Sequence, residues 1–307
     1  SCTKPAVIDA SGNSQGITFT AGSVTLTDLC VKNADNHNLY TDATISDLTL
    51  TGVEALNAGN YGLEVHNDAE LSNLTVTDSR FAKNSSGIRI RGNLSTAQIS
   101  GTAFENNGIG FHTTQGQDAT EAPDPSDITS ATGVTIESST FTGNTKKSIY
   151  TEKLSDSVFD NVSVTGGEFD INLKYDDYSD ITIKNSTIED VTTGTGLYVK
   201  ARNDESGNID YKTVPASLSG LVITGNTVTG NTAGSGIALQ HGIQDATIVE
   251  NLIQENGNEF TRDGLFIISG LSIYGSQDAD ASGPDVNLDG LLINDTCIVN
   301  NAASDLL

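Results

Sequence analysis

Leu221-Val-Ile-Thr-Gly-Asn-Thr-Val-Thr-Gly-Asn231 holds the pattern that decides the fold: apolar, any residue, apolar, four residues, apolar, two residues, Asn. The pattern occurs ten times, beginning at Val24, Leu48, Leu74, Ala97, Val134, Val162, Ile181, Leu221, Ala246 and Leu291. Its third and eighth positions are apolar in every copy. In the first they are Leu26 and Val31, and in the sixth Val164 and Phe169. All thirty template positions are apolar in a chain that is only 36% hydrophobic, so composition alone does not generate the match. Self-similarity at a fixed period means a solenoid, in which each repeat contacts only its neighbours.

Successive copies are separated by 24, 26, 23, 37, 28, 19, 40, 25 and 45 residues. A coil of about 24 residues, enlarged at three places, accounts for most of that series. Ordinary coils carry a second short strand announced by Gly, as in Gly62-Leu-Glu-Val65, Gly87-Ile-Arg-Ile90, Gly196-Leu-Tyr-Val199 and Gly236-Ile-Ala-Leu239. These alternate apolar and polar at period two, one face inward and one toward water. The expectation is an all-β chain, a right-handed parallel β-helix of about ten coils forming a single domain over residues 1–307. Asn at the eleventh position (Asn84, Asn107, Asn144, Asn172, Asn231, Asn256, Asn301) predicts a ladder of side-chain amides, with Asn172 out of place in the 19-residue coil.

The three long gaps predict loops over about 113–130, 201–217 and 274–287, all leaving the solenoid at one corner after the Gly-marked strand. Loops of this length usually carry function. Asp118, Asp124, Asp204, Asp278 and Asp280 within them are candidate Ca²⁺ ligands, although no D-x-[DN]-x-[DN]-G spacing occurs. With 15 Lys+Arg against 40 Asp+Glu, the net charge of −25 argues against nucleic acid and anionic lipid as partners. No apolar run is long enough to cross a bilayer. Without an initiator Met or a signal peptide, the sequence reads as a processed exported form or a trimmed chain, and a secreted or cell-surface location is expected.

The coils resemble the right-handed parallel β-helix superfamily, which includes pectate lyases, alginate lyases and epimerases, tailspikes and repeat-bearing surface proteins. The stretch Thr224–Ile237 carries the likeness most closely, and the resemblance spans about residues 17–301. It implies the fold and leaves function open, because the repeat residues are structural. No Asp-Pro-His-Asp is present, and Arg89-Ile-Arg91 lacks the Arg-x-Pro-x-x-Arg form of pectate lyases.

Two function classes remain. The outward positions of the Gly-marked strands place His66, Arg89, Arg91, His112, Tyr150, Lys174, Tyr198, Lys200 and Gln240 on one sheet, with His241 adjoining. In a lyase or C5-epimerase acting on an anionic polysaccharide such as alginate or pectate, a cation neutralises the sugar carboxylate and a base removes the α-proton. Lys174, Lys200, Tyr198 and His112 are the catalytic candidates for that chemistry. His66, Arg89, Arg91, Tyr150, Gln240 and His241 would bind substrate. The other class is a non-enzymatic extracellular protein, a filament or appendage subunit or an adhesin, assembling end to end. Cys30 and Cys297 occupy the same template position in the first and last copies, and Cys2 precedes Cys30 by about one coil. Either Cys297 bonds Cys30 or Cys2 of the next subunit, or Cys2 and Cys30 form a local staple.

Overall fold

The architecture comes from a computed structural model. It describes residues 1–115, 124, 127–203, 205–206, 209–211, 213–257, 271–274 and 290–301, with backbone alone at 205–206, 209–210 and 271–274. Three long parallel sheets run the length of the solenoid, each coil giving one strand to each. We call them sheet C (first strand Gly22–Thr27), sheet A (first strand Ala6–Asp9) and sheet B (first strand Gln15–Phe19). The chain is therefore an all-β, right-handed parallel β-helix, as the repeat predicts.

The template maps onto the coil. Its first and third residues point inward from sheet C, and its eighth points inward from sheet A. Leu26, Leu50, Val76, Ile99 and Ile136 form one continuous column in register. The fifth residue is a one-residue turn between the two sheets, with positive φ at Asp28, Asp78, Asn161 and Asn185. Asn and Asp tolerate that left-handed conformation better than other non-glycine residues. Inward side chains make one core. Within it Phe81, Phe104 and Phe141 stack with centroids 5.5 and 4.5 Å apart. The glycines of sheet B serve this stack: a Cβ on Gly110 would lie 2.6 Å from Phe141 Cδ1 and 2.5 Å from the Ser148 carbonyl oxygen. The strand marker is thus a packing requirement.

The Asn ladder forms in two runs. Asn84 N–H donates to Asn107 Oδ1 and Asn107 N–H to Asn144 Oδ1, both at 3.0 Å. Asn231, Asn256 and Asn301 repeat the arrangement. Asn172 is not part of it and lies on sheet B beside Lys200.

One register differs from the sequence reading. In the sixth coil Phe159, not Val164, pairs with Ile136 and Ile183 on sheet C, while Val164 pairs with Phe141 on sheet A. Phe169 moves to sheet B, opposite Ile149. The true copy starts at Ser157, and the irregular gaps of 28 and 19 residues become ordinary coils of 23 and 24. Ser157 is tolerated at an inward position because its hydroxyl accepts from Val134 N–H at 3.1 Å and donates to the Ser155 carbonyl at 2.6 Å.

Candidate functional site

Sheet B builds the site. Along its outward face Tyr40, Glu64, Arg89, His112, Tyr150, Asp170 and Tyr198 follow one another in register. A second column, His37, Tyr61, Ser86, Ile109, Lys147 and Glu168, runs beside it. Adjacent rungs are about 4.8 Å apart, so side chains from several coils meet.

The face has two layers. Short acids lie at the bottom: Glu64 and Asp170 are fully buried and Glu152 nearly so. Longer cations and phenols are tied over them. Arg91 Nε donates to Glu64 Oε1 at 2.7 Å. Lys147 binds Glu168 at 2.6 Å and also Asp170. Glu152 accepts from Tyr150 OH at 2.9 Å and from the Lys174 ammonium. At the end nearer the N-terminus the His37 ring is stacked with Tyr40 and Tyr61, with centroids 5.3 and 5.1 Å away. The Arg89 guanidinium lies 4.8 Å above the Tyr61 ring and donates to its hydroxyl.

These surroundings set the ionisation states. Burial pushes the Asp170 carboxyl up to about 7, with Lys147 pulling it back and Glu168 adding to the rise. Burial likewise raises Glu64, against the opposing charges of Arg91 and Arg89. Burial and neighbouring cations lower His112 to about 3 and His37 to about 4, so both imidazoles are neutral near pH 7. Tyr150 is held well above its ordinary value, first by burial and then by Glu152.

Buried polar atoms are normally paired. Among the described residues, atoms without a partner lie on both sides of sheet B: His37 Nδ1, Glu64 Oε2, Arg89 Nε, Thr114 Oγ1, Asp170 Oδ1 and Asn172 Oδ1 on or beside the outward side, and Ser148 Oγ and Thr151 Oγ1 on the inward side, Thr151 in register with Ile171.

The corner that launches the loops is tied to this face. Glu152 Oε2 accepts from Gln115 N–H at 3.1 Å, and Gln115 Nε2 donates to Tyr178 OH at 2.8 Å. The fully buried Lys153 ammonium donates to the carbonyls of Arg91 (2.6 Å) and Gly92 (2.7 Å) and to Thr129 Oγ1. Tyr211, from the second loop, stacks on Tyr175 at 5.3 Å and lies under Arg202 at 3.9 Å. Tyr175 has φ 70°, a strained conformation for a bulky residue.

Of the candidates named from sequence, Arg89, Arg91, His112, Tyr150, Lys174, Tyr198, Lys200 and Gln240 all lie on or beside the outward face. His112, Lys200 and Gln240 are buried rather than exposed. Lys174 is ion-paired with Glu152, and Tyr198 OH donates to Gln240 Oε1. His66 faces Asp68 at the end of its rung, 3.3 Å away. His241 is buried with φ 64°, level with Ala201. Asp124 is exposed, and Asp118, Asp204, Asp278 and Asp280 lie outside the described residues. Glu168 and Asp170 were missed because the misplaced sixth copy took residues 162–172 away from sheet B, and Lys147 because alternation from the core residue Ile149 puts it at an inward position, which an irregularity between the two residues overrides. Gly166-Gly167 just before Phe169 is the signal that marks Glu168 and Asp170.

Cys2 and Cys30 are joined by a disulfide, the local staple, and Cys297 is free and exposed. Bonding of Cys297 to either of them in a neighbouring subunit would require that staple to open. Residues 1–4 lie across the outside of sheet A, where Thr3 N–H and Oγ1 donate to Glu54 at 2.7 and 2.6 Å. The strap covers Cys30, which is why this outward cysteine is buried.

The family pattern described as a right-handed β-helix region matches residues 106–303. The chain belongs to the right-handed β-helix family. A search of curated proteins and of solved structures finds no match. For a right-handed β-helix the outward side of a sheet is where ligand-facing residues can vary without disturbing the core. Here the outward side of sheet B carries the buried acids, ion pairs and stacked rings. No helix among the described residues is long and apolar enough to cross a membrane.

Proposed function

We propose that this β-helix is an extracellular, adhesin-like protein that binds an extended, acidic polysaccharide along the outward face of sheet B. The observation that carries this reading is the set of partnerless buried polar atoms on the outward side of that sheet, Glu64 Oε2, Arg89 Nε, Asp170 Oδ1 and Asn172 Oδ1. Sugar hydroxyls, which both donate and accept, supply the hydrogen bonds that such groups lack, and the cost of leaving them unmade favours ligand over empty face. Lys147 and Lys174, each steadied by a buried acid, are the positive heads that meet a uronate carboxylate.

Binding fits the ionisation states better than turnover. His112 is too weak a base at about 3, Tyr150 holds its proton, and Lys174 is paired with Glu152. Titration calorimetry with alginate and pectate oligosaccharides tests the proposal. Binding that weakens at least tenfold in Lys174→Ala supports it, and silence toward every acidic glycan sinks it. Unsaturated products absorbing in the ultraviolet would move the chain to the lyase class.

A second reading, end-to-end self-association, is favoured by the open first strand Ala6–Asp9. Val7 is 48% and Ile8 37% exposed there, on an edge able to pair with another chain. Sedimentation over a range of concentrations, with and without reductant, decides it: a monomer throughout removes this reading.

A further inference from the structure

The N-terminal part of the face differs chemically from the lysine-bearing part. Of its charges, Arg91 is paired with Glu64, His37 is neutral near pH 7, and Arg89 rests on the ring and hydroxyl of Tyr61. What remains there is an unsatisfied acceptor, Glu64 Oε2, and an unsatisfied donor, Arg89 Nε, on rungs where these two residues are register partners. The Nδ1 of His37, one rung before, also lacks a partner. Phenol and imidazole rings of Tyr40, Tyr61 and His37 line the approach.

We propose that Glu64 and Arg89 form a subsite for an uncharged sugar ring, distinct from the lysine cluster, and that one ring hydroxyl bridges them. The inference rests on the reading of sheet B as a glycan-binding face. A hydroxyl both donates and accepts, so it satisfies Glu64 Oε2 and Arg89 Nε together. A carboxylate can only accept, so it could pair with Arg89 but would leave Glu64 Oε2 without a donor. The Arg89 guanidinium on Tyr61 OH covers the subsite in the free protein. Turning that one side chain opens it and offers the ligand hydroxyl in place of the phenol. The polysaccharide is then mixed, with a neutral unit at this end and an acidic unit over Lys147 and Lys174.

Calorimetry with mixed and all-uronate oligosaccharides tests the subsite on the intact protein. Mixed chains should bind more tightly, and deoxygenating the bridging hydroxyl should weaken wild type about ten- to a hundredfold, as for loss of a hydrogen bond to a charged group. In Arg89→Lys, which keeps the charge but removes Nε, the deoxygenated and normal ligands should bind alike. Thermal melting confirms that this variant folds, and Tyr61→Phe, which frees the Arg89 cover, should bind mixed chains at least as well as wild type. If all-uronate chains bind but neither deoxygenation nor Arg89→Lys matters, the subsite is overturned and the glycan-binding face stands. If no glycan binds, both fall.

Discussion

The buried ammonium of Lys153 donates to the carbonyl oxygen of Arg91 at 2.6 Å, joining residues 62 positions apart. One charge thereby closes the turn after the Arg89 strand and holds Thr129, where the first long loop returns to the solenoid. A carbonyl left unpaired in a dry interior costs about 1–3 kcal/mol. Lys153→Met should therefore lower stability by roughly 1–3 kcal/mol, read by urea denaturation, because the Gly92 carbonyl loses its donor while that of Arg91 keeps Thr129 Oγ1.

The same lysine gives a pH signature. Burial lowers it from 10.5 to about 7, so between those values the unfolded chain holds more protons. Stability from this group must rise as pH increases from about 7 toward 10.5 and be lost as pH falls through 7. The slope should vanish in Lys153→Met, and an unchanged slope would assign it elsewhere.

Asp170 behaves in the opposite sense. Its folded value of about 7 lies above the ordinary 3.8, so its contribution is full below 3.8 and declines as pH rises through 7. Asp170→Asn should flatten the stability profile over that window. Carbonyl-region infrared spectra of the Asp170-dependent band should titrate near neutrality in wild type.

Phe104 is enclosed by two rings, with Phe81 on one side and Phe141 on the other. Phe104→Ala leaves a cavity that the flanking coils cannot close without breaking register. The expected loss is about 3–5 kcal/mol in chemical denaturation. A loss below about 1 kcal/mol would mean the column relaxes freely.

Reduction of the Cys2–Cys30 disulfide, or Cys30→Ser, should destabilise the chain by about 2–4 kcal/mol. Hydrogen exchange at the Thr3 amide should accelerate at the same time, because the strap to Glu54 is released. Cys297→Ser should change neither.

Much of the fold was legible because a β-helix repeats the same demand at each coil: inward positions must be apolar, and the one-residue turn must accept positive φ. Leu26, Leu50 and Val76 announce that demand without help from the rest of the chain. The face was legible in part. Arg89, Tyr150, Lys174 and Tyr198 could be placed on sheet B from their Gly-marked strands, but their partners could not. Glu152 reaches Lys174 on the next rung and Gln115 in an earlier coil, contacts that no local spacing encodes.

The sixth coil separates what each level decides. Val162-Ser-Val164 fits the eleven-residue template as well as any true copy, so the repeat alone specifies a solenoid of about ten coils and leaves this register ambiguous. Stacking resolved it, because Phe159 fills the column between Ile136 and Ile183 while Val164 continues the column below Phe141. That shift placed Asp170 beside Lys147 on the outward face. Inward apolarity is a one-dimensional pattern that a sequence displays. The pairing of charges across rungs depends on which coils lie against each other, and only the stacked structure fixes it.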